Sequence, residues 1–252
     1  MEIRIVPLTG IPAVHPGDDL ATILCAAIDR VGIGLREDDV VVVCQKVVSK
    51  AEGRVVRLTE VKPGERALAF AREFSKDPVV VELALREARE VLRMTRGHLI
   101  TATGPGFICA NSGLDRSNQN DVDEATLLPL DADRSAALLR SALGEHFGVS
   151  PAVVISDTFG RPWRLGQLDV AIGAAGFSVL DDHTGRADWS GRTLEHTMIA
   201  CADQLAAAAG LDSTKDDGVP ACLIRGCGVR PPVPGAECAA DLVRPAADDL
   251  FR

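Results

Sequence analysis

The 252-residue sequence contains no tyrosine, and aromatic residues make up only 4% of it. It also lacks any apolar run close to the roughly 18 residues that cross a membrane. Its 27 basic residues face 36 acidic ones, so the formal net charge is -9. Binding to nucleic acid draws on clustered Lys and Arg and, for single strands, on aromatic platforms. The composition therefore argues against membrane-spanning and nucleic-acid-binding proteins.

Seven cysteines are spread along the chain, and none forms a C-x-x-C pair. This spacing argues against a disulfide framework and against a structural zinc site. The first four residues lack the basic-then-apolar order of a signal peptide, so we expect a cytoplasmic protein with reduced thiols. The length fits one or two domains. Because no linker or repeat divides the chain, we expect a single domain over 1–252.

Apolar periodicity predicts strands and helices that alternate irregularly. This order favours an α+β fold over a doubly wound parallel sheet. A continuous β-branched run at 39–44 is typical of a strand that is covered on both faces. Helices are predicted at 20–31, 77–93, 134–147 and 194–210, and strands at 2–7, 39–44, 98–101, 106–109, 152–155 and 220–225.

Common nucleotide-binding motifs are missing from the sequence. It has no G-x-x-x-x-G-K-[ST] loop and no G-x-G-x-x-G, since Gly104-Pro105-Gly106 lacks the third glycine and opens no helix. H-E-x-x-H and G-x-S-x-G are absent as well. Neither a P-loop nor a Rossmann nucleotide site is therefore expected.

A first polar cluster runs from Gln45 to Gly53, directly after the predicted buried strand. It brings Lys46, Lys50 and a serine to the strand end, and lysine is a compact charge that suits phosphate oxygens. The alternative is an exposed hairpin arm, because lysine is usually on the surface.

A second cluster lies at 111–118 and is rich in oxygen ligands. The carboxylate of Asp115 could hold a hard cation, and the amide of Asn118 could contact a base or a ribose. The alternative is a purely local set of turns, which Asn and Asp favour for their own backbone hydrogen bonds.

In a third cluster, an apolar strand delivers Asp157 and Thr158 to its end, followed by Arg161 and Arg164. Magnesium is bound by one or two carboxylates together with waters and phosphate oxygens. Asp115 and Asp157, from separate loops, could therefore hold divalent ions between phosphates, with the arginines clamping a substrate carboxylate or phosphodiester. Alternatively, Asp157 caps a turn and the arginines form surface ion pairs.

These clusters, taken in order, resemble the CofE family of coenzyme F420-0:L-glutamate ligases. Members of this family add L-glutamate to the precursor of a deazaflavin coenzyme in a GTP-dependent reaction. Many collinear matches are more specific than any single motif, and they extend over nearly the whole chain: 6–12, 17–20, 46–53, 106–111, 114–118, 156–164 and 248–251.

The resemblance implies an α+β fold, a homodimer, two magnesium or manganese ions, potassium as a helper, and GTP as co-substrate. It implies that Asp115 and Asp157 bind one divalent ion and Thr158 a second one. Asp115, Asp157 and Lys50 are the expected catalytic residues. The expected nucleotide contacts are Ile11, Pro12, Ala13, Val14, Gln45, Lys50, Asn118, Thr214 and Lys215. We expect an acyl-phosphate intermediate, since a carboxylate must be activated before an amine can displace an oxygen from it.

The sequence departs from the family pattern around the expected site. Gln45 replaces a usual serine, Leu168 a threonine and Gln204 a glutamate, and 212–215 differ from a Met-Gly stretch. These differences leave the acceptor, the nucleotide and the number of glutamates open. A related ligase for another acid or amine, a metal-dependent phosphohydrolase and a non-catalytic coenzyme-binding protein are the alternatives.

Overall fold

A computed structural model describes residues 2–212 and 216–250, and it has the predicted α+β fold. The helices of this part are α1 Leu20–Val31, α2 Gln45–Ala51, α3 Glu65–Phe74, α4 Pro78–Glu87, α5 Ala132–Phe147 and α6 Cys201–Ala209. The strands are β1 Arg4–Pro7, β2 Val40–Cys44, β3 Val55–Arg57, β4 Glu90–Thr95, β5 His98–Ala102, β6 Ile108–Ala110, β7 Glu124–Thr126, β8 Ala152–Arg161, β9 Arg164–Ala175, β10 Leu180–Asp182, β11 Met198–Ala200 and β12 Ala221–Arg225.

A five-stranded sheet in the order β1-β12-β2-β8-β9 forms the centre of the molecule. Strands β2 and β8 are parallel, and the other neighbours are antiparallel. In the parallel pair Cys44 lies beside Ser156. The residues that follow these two positions therefore meet at the same edge of the sheet, which is where the first and third polar clusters begin.

Apolar side chains cover both faces of β2, as the β-branched run predicts. Val41 and Val43 belong to one core cluster, packed under α1 and α5, whereas Val40 and Val42 belong to the other, under α6. This division follows from the two-residue period of a strand. Burying each such side chain contributes roughly 1.5 kcal/mol or more, so β2 is held firmly between two layers of helices.

Helix α1 has the bounds that its sequence pattern predicts. The side chain of Asp19 accepts a hydrogen bond from the backbone N–H of Thr22 and so caps the helix. Gly32, with a φ of 73°, ends it in the left-handed region that favours glycine. The capping residues at both ends therefore agree with the bounds that the apolar spacing predicts.

Two predicted helices are shorter than their apolar spacing indicates. The helix predicted at 77–93 ends at Glu87, because the residues beyond it form β4 and pair with β5. The helix predicted at 194–210 begins only at Cys201, because 198–200 form β11, which pairs with β10. In both cases strand pairing with a distant segment outweighs a local helical pattern.

The strand predicted at 152–155 is longer in the structure, where β8 continues to Arg161. Its outer half pairs with β9 in a long hairpin, so Asp157 and Thr158 lie within a strand and not in a loop. Across residues 2–212 and 216–250, every helix is too short or too polar to cross a bilayer.

Candidate active site

A cavity of about 620 Å³ opens at the edge of the sheet where β2 and β8 end. Its wall comes from segments that are far apart in sequence: the turn after β1, helix α2, the loop after β6, the β8–β9 hairpin and the segment before β12. The expected site residues that line it are Ile11, Pro12, Ala13, Val14, Gln45, Lys50, Asp115, Asn118, Asp157 and Thr158.

Helix α2 places both of its lysines on the cavity side, one turn apart. Lys46 and Lys50 are 9% and 6% exposed, and Gln45 and Ser49 are fully buried. The alternative of an exposed hairpin arm is therefore wrong, because the segment is a buried helix. Residues four apart lie on one face of a helix, so both ammonium groups point toward the loop that carries Asp115.

The loop from Asp115 to Asn120 is fastened to α2 by these lysines. The ammonium of Lys46 donates to the carbonyl and hydroxyl oxygens of Ser117, both at 2.7 Å, and lies 2.9 Å from Asp115 Oδ2. Lys50 donates to the carbonyl of Asn118 at 2.7 Å and to Asn120 Oδ1 at 3.3 Å. The second cluster is thus more than a set of local turns, because buried charges from another element hold it.

Asn120 links this loop to the segment after β1. Its amide group donates to the carbonyl oxygen of Val14 at 3.2 Å, while its own carbonyl accepts from Lys50. Asn118 has a φ of 52°, a left-handed conformation that Asn adopts more readily than most other residues. The loop therefore joins two walls of the cavity, both of which contain expected nucleotide contacts.

The surroundings of Asp115 and Lys50 shift the pKa values of both side chains. Burial opposes the ionisation of Asp115, but hydrogen bonds from Ser117 and Lys46 outweigh it and lower the pKa of this carboxyl. Burial, together with the nearby charge of Lys46, lowers the pKa of Lys50. Asp115 is therefore a carboxylate at neutral pH, and Lys50 holds its proton less tightly than an exposed lysine.

The β8–β9 hairpin contributes Thr158 and a further acid, Asp169, which lies opposite it in the register. The hydroxyl of Thr158 donates its hydrogen to Asp169 Oδ1 at 2.6 Å. Its oxygen lone pairs are then left for other partners. A Cβ at Gly210 would come within 2.7 Å of Asp169 Oδ2, so glycine leaves room for this carboxylate in the cavity wall.

The donor set of the cavity fits a divalent ion of the magnesium type. Asp115, Asp157, Asp169 and Asp216 line it together with the hydroxyl of Thr158, and hard cations prefer such oxygen ligands. No three His, Cys, Asp or Glu of 2–212 and 216–250 are grouped tightly enough to hold a metal ion by themselves. Magnesium commonly takes one or two carboxylates and completes its shell with phosphates and water.

Arg161 and Arg164 flank the turn of the hairpin and are not among the residues that line the cavity. Their proposed role as a substrate clamp within one copy of this chain has no support. The cysteines of the described chain are free, in agreement with the absence of a disulfide framework. Cys44 lines the cavity, but burial raises the pKa of its thiol, so it is protonated at neutral pH.

Two expected nucleotide contacts, Thr214 and Lys215, lie outside the described residues. The flanking Gly210, Asp216 and Gly218 line the cavity.

Sequence reasoning missed Asp169 and Asn120 as cavity residues. Asp169 could have been found only from the hairpin register, but register shifts after Ile155 and after Gly160 change which residues face each other. Asn120 follows Asn118 by two residues in a polar loop, so its composition alone gives no reason to single it out. Lys46 was noted only as part of its cluster, although it contacts the candidate metal ligand Asp115.

The family model and three curated relatives that this chain matches are all described as glutamyl ligases of F420. Residues 10–226 match the family described as F420-0:Gamma-glutamyl ligase. A protein of Methanothermobacter thermautotrophicus named coenzyme F420:L-glutamate ligase is 42% identical over all of this chain and all of its own length. Relatives of the same name from Methanopyrus kandleri and Archaeoglobus fulgidus are 41% and 38% identical, covering 99% and 100% of this chain and 98% and 97% of their own.

The match is long enough to include every element that forms the cavity, from the turn after β1 to β12. Full-length identities near 40% accompany it. This chain is therefore a member of the F420-0:gamma-glutamyl ligase family.

Proposed function

We propose that this protein joins L-glutamate to the deazaflavin precursor F420-0 in a GTP-dependent reaction. Three full-length relatives named coenzyme F420:L-glutamate ligase support this assignment. The observation that carries it is the single cavity on which the three polar clusters converge, with carboxylates and lysines lining one space. Such a mixture of charges suits a ligand that carries both phosphates and cations.

The proposed chemistry is amide formation through an acyl phosphate. A carboxylate oxygen of F420-0 attacks the γ-phosphorus of GTP, the bond from that phosphorus to the bridging oxygen breaks, and GDP leaves. The amine of glutamate then attacks the acyl carbon, the amide bond forms, and inorganic phosphate leaves with the electron pair. The amine loses a proton in this step. Addition of further γ-linked glutamates would repeat the same sequence.

In this proposal different residues of the cavity bind the metal ions, the phosphates and the rest of the nucleotide. Asp115, Asp157 and Thr158 would hold magnesium or manganese, which offsets the negative charge of the phosphates when bound. Lys50 directs a positive charge at the same phosphates. Contacts to the rest of the nucleotide come from 11–14, Gln45 and Asn118, with Thr214 and Lys215 as further proposed contacts. Potassium remains a proposed helper ion.

The test is a mass spectrum of the product. The protein is incubated with F420-0, GTP, magnesium and L-glutamate, and a product heavier by one glutamyl residue is expected. Parallel reactions lack glutamate, replace GTP with ATP, or contain a chelator, and the first and last should yield no adduct. Phosphate release without an adduct would identify a phosphohydrolase, and no change at all would contradict the proposal for this acceptor.

A ligase for another acid or amine is the second candidate, and the fully buried Gln45 favours it. Its carbonyl accepts a hydrogen bond from Ser49 inside the cavity wall, at the position where the family usually has a serine. A larger amide here changes the shape of the cavity in which, under this proposal, the acid and the amine also bind. Replacing glutamate with other amino acids in the same assay tests this candidate, since a faster adduct with another amine would support it.

We also propose that the protein is a homodimer, as the family resemblance implies. At the turn of the β8–β9 hairpin, Trp163 is 81% and Leu165 is 99% exposed, and adjacent exposed apolar side chains commonly mark an interface. Light scattering after size exclusion should give twice the mass of the 26.6 kDa chain. The monomer mass at micromolar concentration would contradict this proposal.

A further inference from the structure

Lys46 has one partner for each of its ammonium hydrogens. Its three acceptors are Asp115 Oδ2 and the carbonyl and hydroxyl oxygens of Ser117, at 2.9, 2.7 and 2.7 Å. A lysine ammonium has three donors. The side chain is 11% exposed, so these hydrogen bonds form largely out of contact with water, where breaking them is costly.

Lys50, one helical turn further along, differs in this respect. It donates to two acceptors of the described chain, the carbonyl of Asn118 and Oδ1 of Asn120, and the second bond is long at 3.3 Å. One of its three hydrogens is then left for a ligand in the cavity. The two lysines of the same helix face thus have different capacities, since only Lys50 can donate to a phosphate without giving up a bond.

The geometry of the loop depends on the contacts of Lys46. Asp115 pairs with Thr126 through two backbone hydrogen bonds, of 3.0 and 2.8 Å, which fix where the loop begins. The other oxygen of the Asp115 carboxylate accepts from the backbone N–H of Ser117 at 2.7 Å. Lys46 closes this turn from outside, because it holds both the carboxylate and the residue whose amide contacts that carboxylate.

We propose that Lys46 is a positioning residue that fastens the loop 115–118 to helix α2 and thereby sets the affinity of the cavity for nucleotide. The effect on nucleotide rests on the proposed function, whereas the effect on the loop does not. Lys46 lines the cavity, but its three donors are directed at Asp115 and Ser117. It acts through Asp115, whose carboxylate it orients, and through Ser117, which precedes the nucleotide contact Asn118.

The test compares Lys46→Met, which keeps the length of the side chain but removes its charge and donors, with Lys46→Arg. Hydrogen–deuterium exchange of the peptide 114–120 is measured in the free protein. The loss of charged hydrogen bonds should speed exchange there by about tenfold in Lys46→Met. Lys46→Arg should stay close to wild type, because a guanidinium can also donate to a carboxylate and a carbonyl.

A matched control is Arg225→Met, which breaks a different buried ion pair, with Asp39 at the opposite end of β2. This variant should speed exchange around 34–40 and leave 114–120 unchanged. Calorimetric titration with GDP and magnesium should show about tenfold weaker binding for Lys46→Met and unchanged binding for Arg225→Met.

Wild-type exchange of 114–120 in Lys46→Met would overturn the proposal, and so would an equal loss of GDP affinity in both variants. The exchange measurement needs no nucleotide. A wild-type protein that does not bind GDP would therefore refute the proposed function, while the exchange rates still decide whether Lys46 holds the loop.

Discussion

The two ends of strand β2 both carry buried charges, but they use them differently. At its start, Asp39 is completely buried and accepts from Arg225 Nε and Nη2, both at 2.7 Å, and from the backbone N–H of Arg36 at 2.8 Å. The guanidinium also donates to the carbonyl of Gly34. Asp39 and Arg225 are both satisfied by the described chain, as a buried pair that stabilises the fold must be.

At the other end of the strand, the charged residues line a cavity. Lys46 and Asp115 are paired, yet Lys50 keeps a donor and several carboxylates converge on the same space. Both ends combine aspartate with basic residues, an arginine at one end and lysines at the other. What separates a structural cluster from a candidate active site is whether the hydrogen-bonding capacity is used up within the chain or left directed at a volume that a ligand can fill.

The largest effect is expected from Asp157→Asn at the cavity end. Removing a carboxylate that would hold the divalent ion should lower the rate of ligation by about a thousandfold, the scale seen when electrostatic stabilisation of a transition state is lost. The change is isosteric, so the melting temperature should stay near that of wild type. Turnover at the wild-type rate and normal metal concentration would remove Asp157 from the mechanism.

Asp39→Ala at the opposite end should lower the stability of the fold and leave substrate binding unchanged. It leaves the charge of Arg225 buried without its partner, which costs about 3–5 kcal/mol of folding free energy. Chemical denaturation measures this loss, and at a temperature where the variant stays folded the KM values for all substrates should equal those of wild type. Altered KM values would show that the two ends of β2 are coupled.

Lys50→Met tests the donor that this residue keeps for a ligand. Losing one hydrogen bond to a charged group should raise the KM for the nucleotide by about tenfold, with a smaller change in kcat. Lys50→Arg retains the charge and serves as the control. Equal KM values for Lys50→Met and wild type would mean that this ammonium only supports the loop.

The smallest effect is expected at Asp203, a carboxyl that belongs to neither end. Burial raises its pKa, against a hydrogen bond from the backbone N–H of Ala171. Its folded-state pKa lies above the unfolded value, so at neutral pH the ionised form reduces stability, and this cost disappears as pH falls toward the unfolded pKa. Asp203→Asn should therefore raise stability by about 1 kcal/mol or less at pH 7.

Thermal melts of both proteins from pH 7 down to pH 4 check the Asp203 prediction. The difference in melting temperature between the variant and wild type should shrink as the pH falls. If the increase in melting temperature stays constant over this pH range, packing and not the carboxyl charge is its cause.

The sequence was most informative where one local signal decides the structure. The valine run predicts the buried strand β2, and the apolar spacing at 20–31 predicts helix α1. The sequence was least informative where pairing with a distant segment decides the secondary structure. The segment at 198–200 has helical spacing but forms a strand, because β10 lies beside it. The lysines of α2 looked like surface residues because nothing local shows what covers them.

For the candidate site, the collinear motifs identified residues that the structure brings to one cavity, including Asp115 and Asp157. They could not identify Asp169, whose place opposite Thr158 depends on irregular register in the hairpin. Nor could they pair Lys46 with the loop at Ser117, 71 residues away. A motif states which residue types occur in order, but not which side chains of separate motifs share a hydrogen bond.

By itself, the sequence determined the fold class, the strand at the centre of the sheet and the three polar clusters, because apolar periodicity and capping act over a few residues. Only the tertiary structure decided that the charges of these clusters face one another across a cavity, and which of them are already paired. Those contacts join segments from different elements, and their geometry exists only after the parallel pairing of β2 with β8 has brought the strand ends to one edge.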